Sequence, residues 1–95
     1  MDPAAIRAQE KDRWNYVAAG WKTWWEVIEG WSQPVSDRLV EMAGVGPGDT
    51  VLDIATGAGE PALTAARRVG PAGRVVATDL SGAMMRLAAE RAAAD

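Results

Sequence analysis

An apolar run that passes through one carboxylate and ends in two glycines constrains this chain more than any other stretch: Val51-Leu52-Asp53-Ile54-Ala55-Thr56-Gly57-Ala58-Gly59-Glu60-Pro61. A continuous apolar run of this length reads as a strand buried on both faces, the habit of parallel sheets. Gly57 and Gly59 carry no Cβ, so the chain can bend sharply and a small ligand can approach bare backbone. Pro61 stands where a first-turn proline is tolerated, and residues 61–69 continue as a helix with Leu63, Ala66 and Val69 facing inward. Gly70-Pro71 ends that helix. A second apolar run, Val75-Val76-Ala77-Thr78, closes on Asp79.

The order is therefore strand, glycine turn, helix, strand, acid, with Asp79 twenty residues beyond Gly59. A carboxylate at the tip of the neighbouring parallel strand can accept hydrogen bonds from both hydroxyls of a ribose, which suggests an adenosine-bearing cofactor. Gly57-x-Gly59-x-x-Ala62 also satisfies the loose dinucleotide pattern, so the glycines alone do not choose the cofactor. Asp53 tips the balance. Four residues ahead of the first glycine, it would repel a pyrophosphate but suit a ligand carrying an ammonium and a sulfonium, directly or through a relay.

These segments resemble a known family. Val51 to Gly59 resembles motif I of the class I S-adenosylmethionine-dependent methyltransferases, and Val75 to Ser81 resembles the acidic segment that follows it. Within that superfamily, the run from Asp79 to Ala92 looks most like the branch of the ubiquinone/menaquinone-biosynthesis methyltransferases. One departure stands out: the family pattern has a glycine where this chain has Ala55, a residue small enough to leave the turn intact. The resemblance implies the N-terminal part of a Rossmann-like α/β fold, a β-α-β-α order preceded by tryptophan-rich helices, with S-adenosylmethionine as cofactor. It also implies residue roles. Ala55, Thr56, Gly57, Ala58 and Gly59 would line the methionine moiety and ribose, and Asp79 would take the ribose hydroxyls. Leu80 would flank the adenine, with Met84 below it, and Asp53 would orient the turn or a water near the amino group. The methyl acceptor would be a small apolar or quinone-like molecule.

Composition removes other chemistries. The 95 residues contain no cysteine and no histidine. Disulfides, Cys/His zinc sites, thiol nucleophiles, imidazole bases and serine-histidine triads are excluded together, and no metal site is expected. No Gly-Lys-[Ser/Thr] follows the glycine turn, so it is not a triphosphate-binding loop. A net charge of −3 offers no basic face for nucleic acid. Neither a signal peptide nor a membrane-length apolar run is evident, so a cytoplasmic protein is expected.

Two parts are expected, residues 1–45 as a helical lid or packing segment and residues 46–95 as the first half of the cofactor-binding domain. Asp2-Pro3 reads as a helix start, and Gly20 as a weak point in the helix that follows. All five tryptophans lie between positions 14 and 31. Trp14, Val17, Trp21, Trp24, Ile28 and Trp31 recur at spacings of three and four, one stripe of a helix or of two helices meeting near Gly20. Core packing against the sheet is the first expectation for this stripe. A lid over the cofactor with one wall of an acceptor pocket is the second, and a membrane-surface helix the third. Gln33-Pro34 reads as opening another helix to about Ala43, with Val35, Leu39, Val40 and Met42 as its apolar set and Gly44 as its cap. Ser81 reads as the cap of a last helix with Met84, Leu87, Ala88 and the stem of Arg91 on its inner side.

Two strands cannot cover Val51–Ala55 on both edges and faces. The chain is accordingly expected to be the N-terminal portion of a longer methyltransferase, inactive by itself and able to self-associate through the bare sheet edge. No residue is nominated as catalytic; Glu60 reads foremost as a helix-start carboxylate. Two other readings stay open: half of an NAD(P)-binding Rossmann oxidoreductase, and a non-catalytic fragment whose tryptophan stripe binds another chain.

Overall fold

A computed structural model describes residues 2–95. Two long helices, α1 (Pro3–Thr23) and α2 (Trp25–Met42), precede β1 (Thr50–Ile54), α3 (Ala62–Val69), β2 (Arg74–Thr78) and α4 (Gly82–Ala94). The β-α-β-α order expected from the sequence is present. β1 and β2 pair in parallel, Leu52 opposite Val76 and Ile54 opposite Thr78, and α3 makes the crossover that parallel pairing requires.

Local signals account for most of the boundaries. Asp2 caps α1 by accepting from the Ala4 N–H at 3.0 Å, with Pro3 in the first turn. Gly44 follows α2 at φ 70°, donating to the Glu41 carbonyl, and Gly70 ends α3 at φ 65°. The fully buried Ser81 caps α4 by accepting from the Met84 N–H at 3.1 Å.

The two long helices divide elsewhere than their sequence suggests. Gly20 lies inside α1, and the break falls at Trp24, whose φ of −100° and ψ of 9° leave helical geometry for one residue. Pro34 opens nothing and sits inside α2. Its missing N–H removes one helical hydrogen bond, but tertiary docking holds the helix: the neighbouring Gln33 donates to Thr64 of α3 at 2.9 Å. The docked face of α2 carries Ser36 and Val40, while Val35, Leu39 and Met42 are exposed, so only Val40 of the expected apolar set is in the core. On α3, Leu63 and Val69 are buried as expected, whereas Ala66 is exposed. Pro61 immediately precedes α3 rather than starting it.

The sheet is covered on one side only. Val51, Asp53, Val75 and Ala77 lie on the half-buried face, and Leu52, Ile54 and Val76 are exposed on the other. The core gathers between α1, α4 and the turn after β1: Ala18, Ala58, Met84 and Leu87, with Trp21 and Trp25 packed against them. None of the helices of the described residues is long and apolar enough to cross a membrane.

Candidate cofactor-binding site

The turn after β1 is held from both ends by carboxylates. Asp53 points along the strand toward α3, where one oxygen accepts from the Thr56 hydroxyl at 2.7 Å and the Ala62 N–H at 3.0 Å. Asp79, at the tip of β2, accepts from the Gly57 N–H through one oxygen and from the Ser81 N–H through the other, both at 2.8 Å. The Thr56 N–H donates to the Thr78 carbonyl at 2.8 Å, carrying strand pairing one residue beyond β1. Each bond satisfies a backbone or hydroxyl group that the turn would otherwise leave unpaired.

Left-handed backbone recurs through the turn. Ala55 has φ 63°, Gly57 59° and Gly59 109°. Gly59 also lies tight against α3 and α4: a Cβ there would stand 3.2 Å from Leu63 Cδ1 and 3.4 Å from the Ala88 methyl. Ala55, at the position where the family pattern has glycine, adopts the glycine conformation at a cost of roughly 1–2 kcal/mol.

Above the turn lies a cavity of about 680 Å³, bounded by Ala55–Ala58 below and by the tryptophan-bearing helices above. That volume is within the range of small-molecule sites. Trp14, Trp21, Trp25, Ile28 and Trp31 all face it, so the tryptophan stripe roofs a hollow instead of filling the core alone; Trp24, at the helix break, is exposed and not part of the wall.

Of the residues expected at a ligand, Ala55, Thr56, Gly57, Ala58, Asp79, Leu80 and Met84 border the cavity. Asp53 and Gly59 do not, because Asp53 is turned toward the start of α3 and Gly59 is buried under it. Asp53 is thus placed to orient the turn, one of the two parts expected of it, and other carboxylates stand at the cavity itself. Among the described residues, Glu10, Glu60 and Asp79 border the cavity, while no lysine or arginine does; Glu10 is paired with Arg13 on its own helix.

Several participants have no local sequence signature. Asn15 accepts from the Ser81 hydroxyl at 2.5 Å and from the Ala83 N–H at 3.2 Å, fastening α1 to the start of α4. Arg91 reaches from α4 to the Ala58 carbonyl at 2.6 Å and stands 3.6 Å over the Trp25 ring. Burial draws its guanidinium below the ordinary arginine value, against the pull of nearby Glu29 and Glu60; it remains protonated at any physiological pH. Glu60 accepts from the Thr64 hydroxyl at 2.7 Å through one oxygen, and its other oxygen is buried without a partner. The Trp25 indole N–H is likewise buried and unpaired.

Comparisons with known proteins agree with the geometry. Residues 51–95 match the model of a methyltransferase domain family. Over 76 residues the chain is 37% identical to the ubiquinone/menaquinone biosynthesis C-methyltransferase of Pseudomonas fluorescens, covering 79% of this chain and 30% of that protein. It is 44% identical over 58 residues to the 2-phytyl-1,4-naphtoquinone methyltransferase of Trichormus variabilis, covering 61% and 25% respectively. No solved structure matches the chain significantly. The chain belongs with the class I methyltransferases, in the branch of the ubiquinone/menaquinone-biosynthesis enzymes. It spans less than a third of the length of these two relatives.

Proposed function

We propose that this chain is the cofactor-binding part of an S-adenosylmethionine-dependent methyltransferase that methylates a small apolar or quinone-like acceptor in the cytoplasm. The observation that carries this reading is the charge of the cavity wall: among the described residues Glu60, Asp79 and the Arg13-paired Glu10 border it and no lysine or arginine does, Arg91 lying behind the Trp25 ring. Such a wall favours a sulfonium compound and opposes a pyrophosphate, which weighs against the NAD(P) alternative. The glycine cradle and the unpaired Glu60 oxygen fit a ligand with a cationic, hydrogen-bond-donating end.

When bound, S-adenosylmethionine supplies a methyl group activated on sulfur. The chain contributes position and dryness. Asp79 holds two backbone N–H groups, and its carboxylate keeps lone pairs for ribose hydroxyls. Leu80 and Met84 offer apolar surface to an adenine, and Ala55–Ala58 form the bed on which the cofactor would lie, with Gly59 packed beneath and Asp53 setting the bend from behind. Residues 1–45 act as the lid: Trp14, Trp21 and Trp31 exclude water and give an aromatic acceptor a surface to stack on. The names of the relatives, which act in quinone biosynthesis or on a naphthoquinone, support that class of acceptor.

Isothermal titration with S-adenosylmethionine, S-adenosylhomocysteine and NAD in parallel tests the reading. Binding of the two sulfur nucleosides without NAD is expected. NAD binding alone would transfer the site to the dinucleotide class, and a defined complex with another protein in the absence of any nucleoside binding would favour an interaction fragment.

A further inference from the structure

Arg91 lies near the end of the run from Asp79 to Ala92 and does not itself border the cavity. Its side chain is only 14% exposed and touches two separate elements. On the turn it donates to the Ala58 carbonyl at 2.6 Å. On α2 it stands 3.6 Å over the centre of the Trp25 ring and 3.6 Å from a Glu29 carboxylate oxygen. Ala58 and Trp25 both border the cavity, the first in its floor and the second in its roof.

Among the described residues, no other side chain makes both a polar bond to the turn and a polar or cation–ring contact with the tryptophan helices. Asn15 fastens α1 to the start of α4, and Gln33 fastens α2 to α3. Arg91 alone joins floor to roof directly by polar contact. It does so at the end of α2 that adjoins the break at Trp24, where φ is −100° and ψ 9°. Trp25 and Glu29 are four residues apart and share one face of the helix, so a rotation of the first turn of α2 moves both of its contacts with Arg91 together.

The mechanical link is stiff at both ends. A guanidinium is planar, with its N–H groups in a fixed fork, so a shift of the ring beneath it misaligns the bond to the Ala58 carbonyl. That carbonyl belongs to the peptide between Ala58 and Gly59, whose N–H donates to the Thr56 carbonyl at 3.0 Å. The peptide is thus pinned from both sides. Gly59, at φ 109°, would let it turn if the Arg91 bond were released.

Resting on the methyltransferase reading above, we propose that Arg91 is a positioning residue that couples the two sides of the cavity, so that a nucleoside on the turn and an apolar ligand against the tryptophan wall each strengthen binding of the other. A nucleoside lying on Ala55–Ala58 needs the peptide of Ala58 in its pinned orientation, and an apolar ligand needs Trp25 in place. Arg91 makes these one arrangement. Whichever ligand binds first holds the bridged state that the second requires, and the free energy of coupling is the same in either order.

Titration calorimetry with S-adenosylhomocysteine, in the absence and presence of saturating 2-methyl-1,4-naphthoquinone, tests the coupling in the parent, Arg91→Lys and Arg91→Gln. In the parent the quinone is expected to tighten S-adenosylhomocysteine about fivefold to tenfold, in Arg91→Gln less than about twofold. Arg91→Lys keeps the charge without the planar fork and should fall between them. A residue that only supports the fold would weaken both ligands and leave their ratio as in the parent, so a parental ratio in Arg91→Gln would overturn the proposal. The parent alone gives a second measurement that does not depend on a variant folding: the quinone without any nucleoside should slow amide exchange at Gly59 about threefold. Unaltered exchange in a parent that binds the quinone, or a parent that binds both ligands independently, would overturn the coupling while leaving the cofactor reading in place. A parent that binds no S-adenosylhomocysteine would overturn the cofactor reading, and the coupling with it.

Discussion

The glycine turn and the tryptophan helices form opposite walls of one cavity, yet they are built by different means. The turn is fixed by a dense set of polar bonds within the β-α-β unit: Asp53 to Thr56 and Ala62, and, across the strand pair, Asp79 to Gly57 and Ser81. The helices are attached by a few distant links, Asn15 to Ser81, Gln33 to Thr64, Arg91 to Trp25 and an exposed Lys22–Glu90 pair at 3.0 Å. Two of the tryptophans, Trp24 and Trp31, stay largely exposed. A wall made of closely spaced bonds is rigid before a ligand arrives, whereas one held by a few tethers can open and close. That division suits the proposed function, a cofactor gripped on one side and an apolar acceptor admitted on the other.

Removing the element that both walls share should break this contrast most severely. Arg91→Ala takes away a charge-assisted bond to the turn and the cation over Trp25 at once; a loss of about 3 kcal/mol in denaturant unfolding is expected, with tryptophan emission shifting to longer wavelength. Asp53→Ala should cost about 2 kcal/mol by leaving the Thr56 hydroxyl and the Ala62 N–H unpaired. Its signature is faster amide exchange at Ala62, with tryptophan emission unchanged. The reverse pattern belongs to Asn15→Ala, expected to cost about 1 kcal/mol and to expose Trp14 and Trp21 to acrylamide quenching while the turn amides keep their protection. If the last two variants perturb both walls equally, the walls are one cooperative unit and the contrast fails.

The smallest effect should be of opposite sign. Ala55→Gly relieves the left-handed strain at φ 63° but loosens the unfolded chain, for a net gain of about 0.5 kcal/mol seen as a small rise in Tm. An unaltered or lowered Tm would mean that Ala55 is held there by contacts worth more than its strain.

The chemistry of the turn was legible because it is written in neighbouring residues. Asp53, Gly57 and Gly59 act within a few positions of one another, and Asp2, Gly44, Gly70 and Ser81 cap or end helices through bonds to adjacent backbone. The tryptophan spacing announced an apolar stripe but could not say whether it would close a core or cover a hollow, since periodicity reports a face and not what faces it. Pro34 read as a boundary because local propensity treats every interior proline alike; the Gln33–Thr64 bond to a helix thirty-one residues away overrode it.

By itself, then, the order of residues determined the strand–turn–helix unit, the caps and the two acids that hold the bend, all of which depend on backbone conformation within a turn or a strand pairing. Only the tertiary structure decided that Glu60 borders the cavity and Asp53 does not, that Arg91 joins three elements, and that Leu52, Ile54 and Val76 lie bare on one face of the sheet. Those outcomes depend on which surfaces meet after the helices dock, and a side chain's direction in space is set by its distant neighbours as much as by its own place in the chain.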